Sequence, residues 1–117
     1  MATVLLVEDN DDVRDMMALA LQIAGNFVIT ARNGAEALDL LHDQPRPCLI
    51  ILDLMMPVMN GWELKAALVS DPALSDIPTI VVSALSDEMM ARAGGTEFLA
   101  KPVDIDRLIE AVCQHCH

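Results

Sequence analysis

Three carboxylates stand directly after two short apolar runs of the sequence. Glu8 and Asp9 follow the run at 3–7, and Asp53 follows the run at 48–52. An ionised group beside so much apolar surface loses hydration, so it requires a partner charge, a cation or hydrogen bonds. Mg²⁺ typically binds through one or two carboxylates, a few waters and a phosphoryl oxygen, and a carboxylate can itself form an aspartyl phosphate. These residue types predict a cation-dependent phosphoryl site that includes Asp53.

Two other polar residues end later apolar runs. Ser83 follows the run at 79–82, and Lys101 follows the segment EFLA at 97–100, which is apolar after Glu97. On its own, Ser83 would be interpreted as a loop hydroxyl and Lys101 as a surface lysine. Their positions at the ends of apolar runs make them candidates, and the ammonium of Lys101 would supply one positive charge among the carboxylates.

The apolar pattern alternates between short continuous runs and helical spacing. The runs predict strands at 3–7, 27–30, 48–52, 79–82 and 97–100. The helical spacing predicts helices from Val13 to Ala24, around Ala37 to Leu41, from about Gly61 to Val69, over 86–92 and after a cap at Asp104. Five strands alternating with five helices indicate an α/β fold, a doubly wound five-stranded parallel sheet with helices on both faces. We predict one domain over 1–117.

The predicted topology determines where the polar residues meet. Ligands of such sheets bind outside the carboxyl ends of the strands, near a switch point in strand order. The three carboxylates, the hydroxyl of Ser83 and the ammonium of Lys101 all stand at such ends. We therefore expect them to converge on one rim of the sheet.

Charge and hydropathy exclude several other classes of protein. The net charge is −11, with 18 acidic residues against 7 Lys and Arg, which argues against direct nucleic-acid binding because that relies on clustered basic residues. No apolar run approaches the roughly 18 residues that a membrane span requires. The first residues have no basic region and do not resemble a secretory signal. The expected location is cytoplasmic, without a membrane partner.

Four segments carry a resemblance to a known family. VLLVEDND at the start, ILDLMMPVMNGWEL around Asp53, DIPTIVVSA, and FLAKPVD near the end resemble the receiver domain of bacterial two-component response regulators. The resemblance covers essentially the whole chain and implies the flavodoxin-like strand order 2-1-3-4-5. It also implies a signalling domain that takes a phosphoryl group from a phosphohistidine and then switches a protein-interaction surface. Such a domain phosphorylates itself and loses the group slowly, so it is not a turnover enzyme.

The same resemblance implies a role for each matching residue of the metal site. Asp53 aligns with the phosphoacceptor. Asp9 would bind Mg²⁺, or Mn²⁺, directly, and Glu8 would bind it through water. The backbone carbonyl of Met55 would complete the protein ligands.

The resemblance implies further roles for residues around the phosphoryl group. Lys101 would pair with a phosphoryl oxygen, and Ser83 would donate its hydroxyl. Movement of Ser83 would free space for Phe98 to turn inward, whereas the ordinary interpretation of Phe98 is a core aromatic. Structural residues near the site would be Pro57, Gly61 and Pro102, the last of them after an expected cis bond.

The implied partners are a sensor histidine kinase or a histidine phosphotransfer protein, together with a downstream protein. A weak homodimer is left open. The main alternative is a receiver-like module that binds proteins without being phosphorylated. A flavodoxin is disfavoured, because its loop after the first strand cradles a cofactor phosphate, whereas the corresponding loop here is the acidic EDNDD.

Two segments depart from the usual pattern. Between Ser83 and Lys101 the chain is shorter than usual receivers by roughly four residues, about one helical turn. We therefore expect a shortened fourth helix over 86–92, on a surface that commonly carries the output. Near the end, Cys113, Cys116 and His117 match the C-x-x-C-H pattern of haem attachment. We discount haem, because the segment comes at the last residues and no export signal is present.

Overall fold

A parallel sheet flanked by helices forms the domain. The computed structural model describes residues 3–43, 46–53, 61–72, 74–83, 97–100 and 104–115. Within these ranges the strands are β1 Thr3–Val7, β2 Phe27–Ala31, β3 Leu49–Asp53, β4 Thr79–Ser83 and β5 Glu97–Ala100. The helices are α1 Asp11–Ile23, α2 Gly34–Asp43, α3 Gly61–Ser70 and α4 Ile105–His115. Within the described ranges, no helix has the combination of length and hydropathy that a membrane span requires.

The sheet has the predicted topology. Its order is β2-β1-β3-β4-β5, and every neighbouring pair is parallel. The strands β3 and β4 each extend one residue further than the apolar runs indicate, because Asp53 pairs with Val82 and Ser83 pairs with Ala100. Asp53 and Ser83 are therefore the last residues of their strands, and the backbone ladder reaches them directly.

Buried apolar side chains form one cluster on each face of the sheet. On the first face, residues of α1 and α4 pack on the strands in the cluster Val4, Leu6, Met17, Ala18, Leu21, Leu49, Ile51, Ile80, Val82, Leu99, Leu108, Ala111 and Val112. On the second face, residues of α2 and α3 pack in the cluster Leu5, Val7, Ala31, Ala37, Leu41, Ile50, Leu52, Leu68, Leu74, Ile77 and Val81. Successive residues of a strand point to opposite faces, so each central strand contributes to both clusters. The continuous apolar runs of the sequence follow from this double burial.

Both ends of α1 are defined by local backbone chemistry. The side chain of Asn10 accepts a hydrogen bond from the backbone N–H of Val13 at 3.0 Å, which satisfies one of the donors left free at a helix start. At the other end Gly25 has a φ of 100°, a left-handed conformation that favours glycine. The helix ends at Ile23 with Ala24 as its C-cap, within one residue of the predicted end at Ala24.

The outer face of α1 differs from the pattern that the sequence indicates. Met16 falls at the helical spacing of the apolar residues of α1, yet it is 48% exposed, whereas Met17, Ala18 and Leu21 are buried. Apolar residues cover more than one side of this helix, since Leu19 is also exposed. The sheet can cover only one side, so Met16 is left at the surface.

The start of α4 matches the prediction. The carboxylate of Asp104 accepts hydrogen bonds from the backbone N–H groups of Asp106 at 3.0 Å and Arg107 at 3.4 Å. Leu108 and Val112 are buried, as the helical spacing predicts. The helix predicted over 86–92 lies outside the described residues, as do Cys116 and His117, while Cys113 is exposed.

Replacing the cap of α1 is expected to have a measurable cost. Asn10→Ala removes the oxygen that accepts from Val13 and should lower the free energy of unfolding by about 1 kcal/mol. Asn10→Ser keeps an acceptor oxygen and should lie within about 0.5 kcal/mol of the wild type. Urea unfolding of the three proteins measures both values, and an equal loss for the two variants would show that the cap is not what stabilises this end.

Candidate metal and phosphoryl site

The pairing of β1 with β3 brings two carboxylates together. In this parallel pair Val7 lies opposite Leu52, and the residues that follow are Glu8 and Asp53. Because parallel strands keep their register, these two residues emerge side by side at the carboxyl edge of the sheet. This is the edge at which doubly wound sheets bind their ligands.

Three carboxylates meet at this edge. Glu8, Asp9 and Asp53 each place a carboxylate oxygen within 4.8 Å of those of the other two. The residues Glu8 and Asp53 are only 2% and 4% exposed, whereas Asp9 is exposed. The cluster therefore has a base of two buried carboxylates, and its third carboxylate is exposed to solvent.

The acidic cluster has the donor set of a hard divalent cation. Carboxylate oxygens suit Mg²⁺ and Mn²⁺, whereas structural zinc sites rely on Cys and His ligands. Like charges this close repel one another, and a cation among them relieves that repulsion. The residues present therefore fit the divalent metal that the sequence predicts, with Glu8, Asp9 and Asp53 as candidate ligands.

The backbone after β1 is held by several hydrogen bonds. The N–H of Glu8 donates to the carbonyl of Ala31 at 3.0 Å, which ties it to β2. The carbonyl of Glu8 accepts from the guanidinium of Arg14 at 3.0 Å. The next turn is closed by the Asn10 cap of α1. The acidic residues therefore project from a backbone that is fixed on both sides.

The remaining predicted site residues are placed in part. Ser83 ends β4, the strand beside β3, and so comes to the same edge as Asp53. Phe98 lies in β5 opposite Val81, and Gly61 is the first residue of α3. The residues Met55, Pro57, Lys101 and Pro102 lie outside the described residues, so their predicted roles stay predictions.

One residue of this region was missed by the sequence reasoning. Arg14 has a side chain that is only 12% exposed and contacts the Glu8 backbone and the Asp11 carboxylate. The available signal was a single arginine within the acidic stretch from Glu8 to Asp15. A basic residue in such a stretch is an obvious partner for the acids, but its contact with a backbone carbonyl cannot be inferred from charge.

Known proteins of similar sequence and fold include several response regulators. The polar-differentiation response regulator DivK of Brucella anthropi is 37% identical over 114 residues, which cover 94% of this chain and 92% of DivK. The crystal structure of the chemotaxis protein CheY4 of Vibrio cholerae is 32% identical, with a TM-score of 0.88 and 98% of each chain covered. The Mn²⁺-bound form of the response regulator Rcp1 is 27% identical, with a TM-score of 0.79, 96% of this chain and 89% of that chain covered.

The family assignment extends over nearly the whole sequence. Residues 4–113 match the profile of the response regulator receiver domain, and this range includes the three clustered carboxylates. The sheet order, the acidic cluster at its carboxyl edge and the similarity to DivK agree with this match. The chain belongs to the response regulator receiver domain family of two-component signalling.

Proposed function

We propose that Asp53 is the phosphoacceptor of this receiver domain and that Glu8, Asp9 and Asp53 hold the Mg²⁺ that the reaction requires. The observation that carries the proposal is the meeting of these three carboxylates within 4.8 Å at the carboxyl edge of the sheet. Receiver domains as a family bind a divalent metal, and Asp53, at the end of β3, is one of the two buried members of the cluster.

The transfer follows from the chemistry of the carboxylate. An oxygen of Asp53 attacks the phosphorus of a donor phosphohistidine, the new P–O bond forms and the P–N bond breaks, and the imidazole leaves with the electron pair. Mg²⁺ held by Glu8, Asp9 and Asp53 would neutralise charge on the transferring phosphoryl oxygens. The burial of Asp53 keeps its carboxylate in one place, and the exposed side of the cluster at Asp9 admits the donor.

We also propose roles for Lys101, Ser83 and Phe98, because these residues match positions of the family motifs. Lys101 would pair with a phosphoryl oxygen, and Ser83 would donate its hydroxyl to the same group. The place of Ser83 at the end of β4, next to β3, supports this role. Movement of Ser83 toward the phosphoryl group on Asp53, and of Phe98 into the space that is freed, would then change a protein-interaction surface.

The proposed partners follow from the proposed reaction. Receiver domains interact with histidine kinases or phosphotransfer proteins and with downstream proteins. For this chain we propose a phosphohistidine donor in the cytoplasm. A weak homodimer is a further proposal.

Phosphorylation by a small donor tests the proposed function. The wild-type protein is incubated with acetyl phosphate and Mg²⁺, and its intact mass is recorded beside a sample with EDTA. We expect an increase by one phosphoryl group in the Mg²⁺ sample alone, because the metal must offset the charge of the acidic cluster. The adduct should disappear with hydroxylamine, which cleaves acyl phosphates but not phosphoserine. No adduct under these conditions would favour the module that binds proteins without phosphorylation.

A further inference from the structure

A nearly buried arginine lies beside the acidic cluster and takes no part in the proposed transfer. Nη1 of Arg14 donates to the backbone carbonyl of Glu8 at 3.0 Å, and Nη2 contacts the carboxylate of Asp11. The Arg14 side chain is only 12% exposed, whereas that of Asp11 is 75% exposed. Burying a guanidinium is costly unless its donors find partners, so the contact with Glu8 is a substantial part of what keeps Arg14 in place.

The contact with Glu8 fixes a segment that carries two of the three clustered carboxylates. Glu8 is held through its N–H by Ala31 of β2 and through its carbonyl by Arg14 of α1. The side chains of Glu8 and Asp9, which this segment carries, both belong to the cluster. A change in the direction of the Glu8 carbonyl would rotate the peptide that joins these two residues.

We propose that Arg14 is a positioning residue for the metal site: by holding the Glu8 carbonyl, it places the carboxylates of Glu8 and Asp9 against that of Asp53. This inference rests on the proposed function, because it assigns Arg14 to the Mg²⁺ site of that reaction. Arg14 acts through the backbone, since among the described residues its hydrogen bonds go to the Glu8 carbonyl and the Asp11 carboxylate.

The direction of the change in Mg²⁺ affinity distinguishes a positioning role of Arg14 from an effect of its charge. A positive charge near a cation site weakens cation binding, so its loss alone would strengthen Mg²⁺ binding. Loss of a positioning contact works in the opposite direction, since residues that orient metal ligands typically contribute about 10- to 100-fold in metal affinity. We expect Arg14→Gln to weaken Mg²⁺ binding by about tenfold.

Arg32 provides a control of matched charge. Its guanidinium pairs with Glu36 at 3.4 Å, and its side chain is 69% exposed. Arg32→Gln therefore removes the same charge without touching the backbone after β1, and its Mg²⁺ affinity should stay within about twofold of the wild type because solvent screens it.

The experiment is a titration of each protein with Mg²⁺ alone, without a phosphodonor. Binding is monitored through the chemical shifts of the backbone amides. We expect weaker binding for Arg14→Gln, and an intermediate loss for Arg14→Lys, because an ammonium keeps the charge without the fork that spans Glu8 and Asp11. Wild-type affinity or tighter binding in Arg14→Gln would overturn the positioning role. If the wild type itself bound no Mg²⁺, the proposed function would fall together with this inference.

Folding is monitored separately by urea unfolding without Mg²⁺. A residue with a purely structural role would lower the unfolding midpoint and leave the Mg²⁺ affinity of the folded protein unchanged, which is the outcome that contradicts the proposal. Should Arg14→Gln fail to fold, Arg14→Lys decides the question, since wild-type Mg²⁺ affinity in that variant would equally overturn it.

Discussion

Asp53→Asn is expected to lose the phosphoryl adduct completely and to be more stable than the wild type when Mg²⁺ is absent. Asparagine has nearly the shape of aspartate but offers no nucleophilic carboxylate. It also removes one of three negative charges that lie within 4.8 Å of one another, two of them on nearly buried residues. We expect the free energy of unfolding to rise by about 1–2 kcal/mol, a fraction of the repulsion between two such charges because other contacts of Asp53 offset it.

Addition of Mg²⁺ should reverse the order of the two proteins. A ligand that binds only the folded state stabilises it by about 1.4 kcal/mol for each tenfold increase in its concentration above the dissociation constant. The wild type retains all three carboxylates and should follow this dependence. Asp53→Asn retains only Glu8 and Asp9 in the cluster, so its stability should respond less to Mg²⁺.

Urea unfolding in EDTA and at increasing Mg²⁺, together with intact mass after acetyl phosphate, measures both effects. Asp39→Asn is the matched control, because Asp39 is an exposed residue of α2 outside the cluster. It should keep the adduct and change the stability by no more than about 0.5 kcal/mol. An adduct on Asp53→Asn would identify another acceptor, and a loss of stability in EDTA would show that contacts of Asp53 outweigh the repulsion.

The sheet and its chemistry could be predicted because one physical rule governs both. A strand buried on both faces must be apolar along its length, so the first polar residue after it marks the carboxyl edge. This rule located Glu8 and Asp53, and the structure brings them together through the register of Val7 with Leu52. The exact strand ends differ by one residue, since hydrogen bonding of the ladder does not stop where apolar side chains stop.

The features that could not be predicted depend on contacts between distant elements. Met16 and Met17 have the same residue type, yet only Met17 is buried, because the sheet determines which side of α1 is covered. The role of Arg14 depends on a hydrogen bond to a carbonyl six positions earlier. Because every residue has a backbone carbonyl, the sequence does not indicate which one accepts this hydrogen bond.

The central strand beneath the site is expected to carry much of the stability of the domain. Ile51 of β3 is 1% exposed, packs in the cluster shared with α1 and α4, and lies on the same face of the strand as Asp53 two residues later. Ile51→Ala removes three carbon atoms from a packed interior and should lower the free energy of unfolding by about 3 kcal/mol. Small domains have total stabilities of about 5–15 kcal/mol, so this loss is severe.

The same substitution at an exposed position supplies the comparison. Ile23 of α1 is 78% exposed, and alanine favours helix, so Ile23→Ala should stay within about 0.5 kcal/mol of the wild type. Urea unfolding gives both free energies of unfolding. If the slope of the free energy against urea concentration is the same in all three proteins, the differences reflect stability and not a change in the surface exposed on unfolding. Equal losses at the two positions would contradict the central burial of β3. A large loss at Ile51 alone would show that the carboxylate of Asp53 stands at the end of a strand whose buried side chains contribute strongly to the stability of the domain.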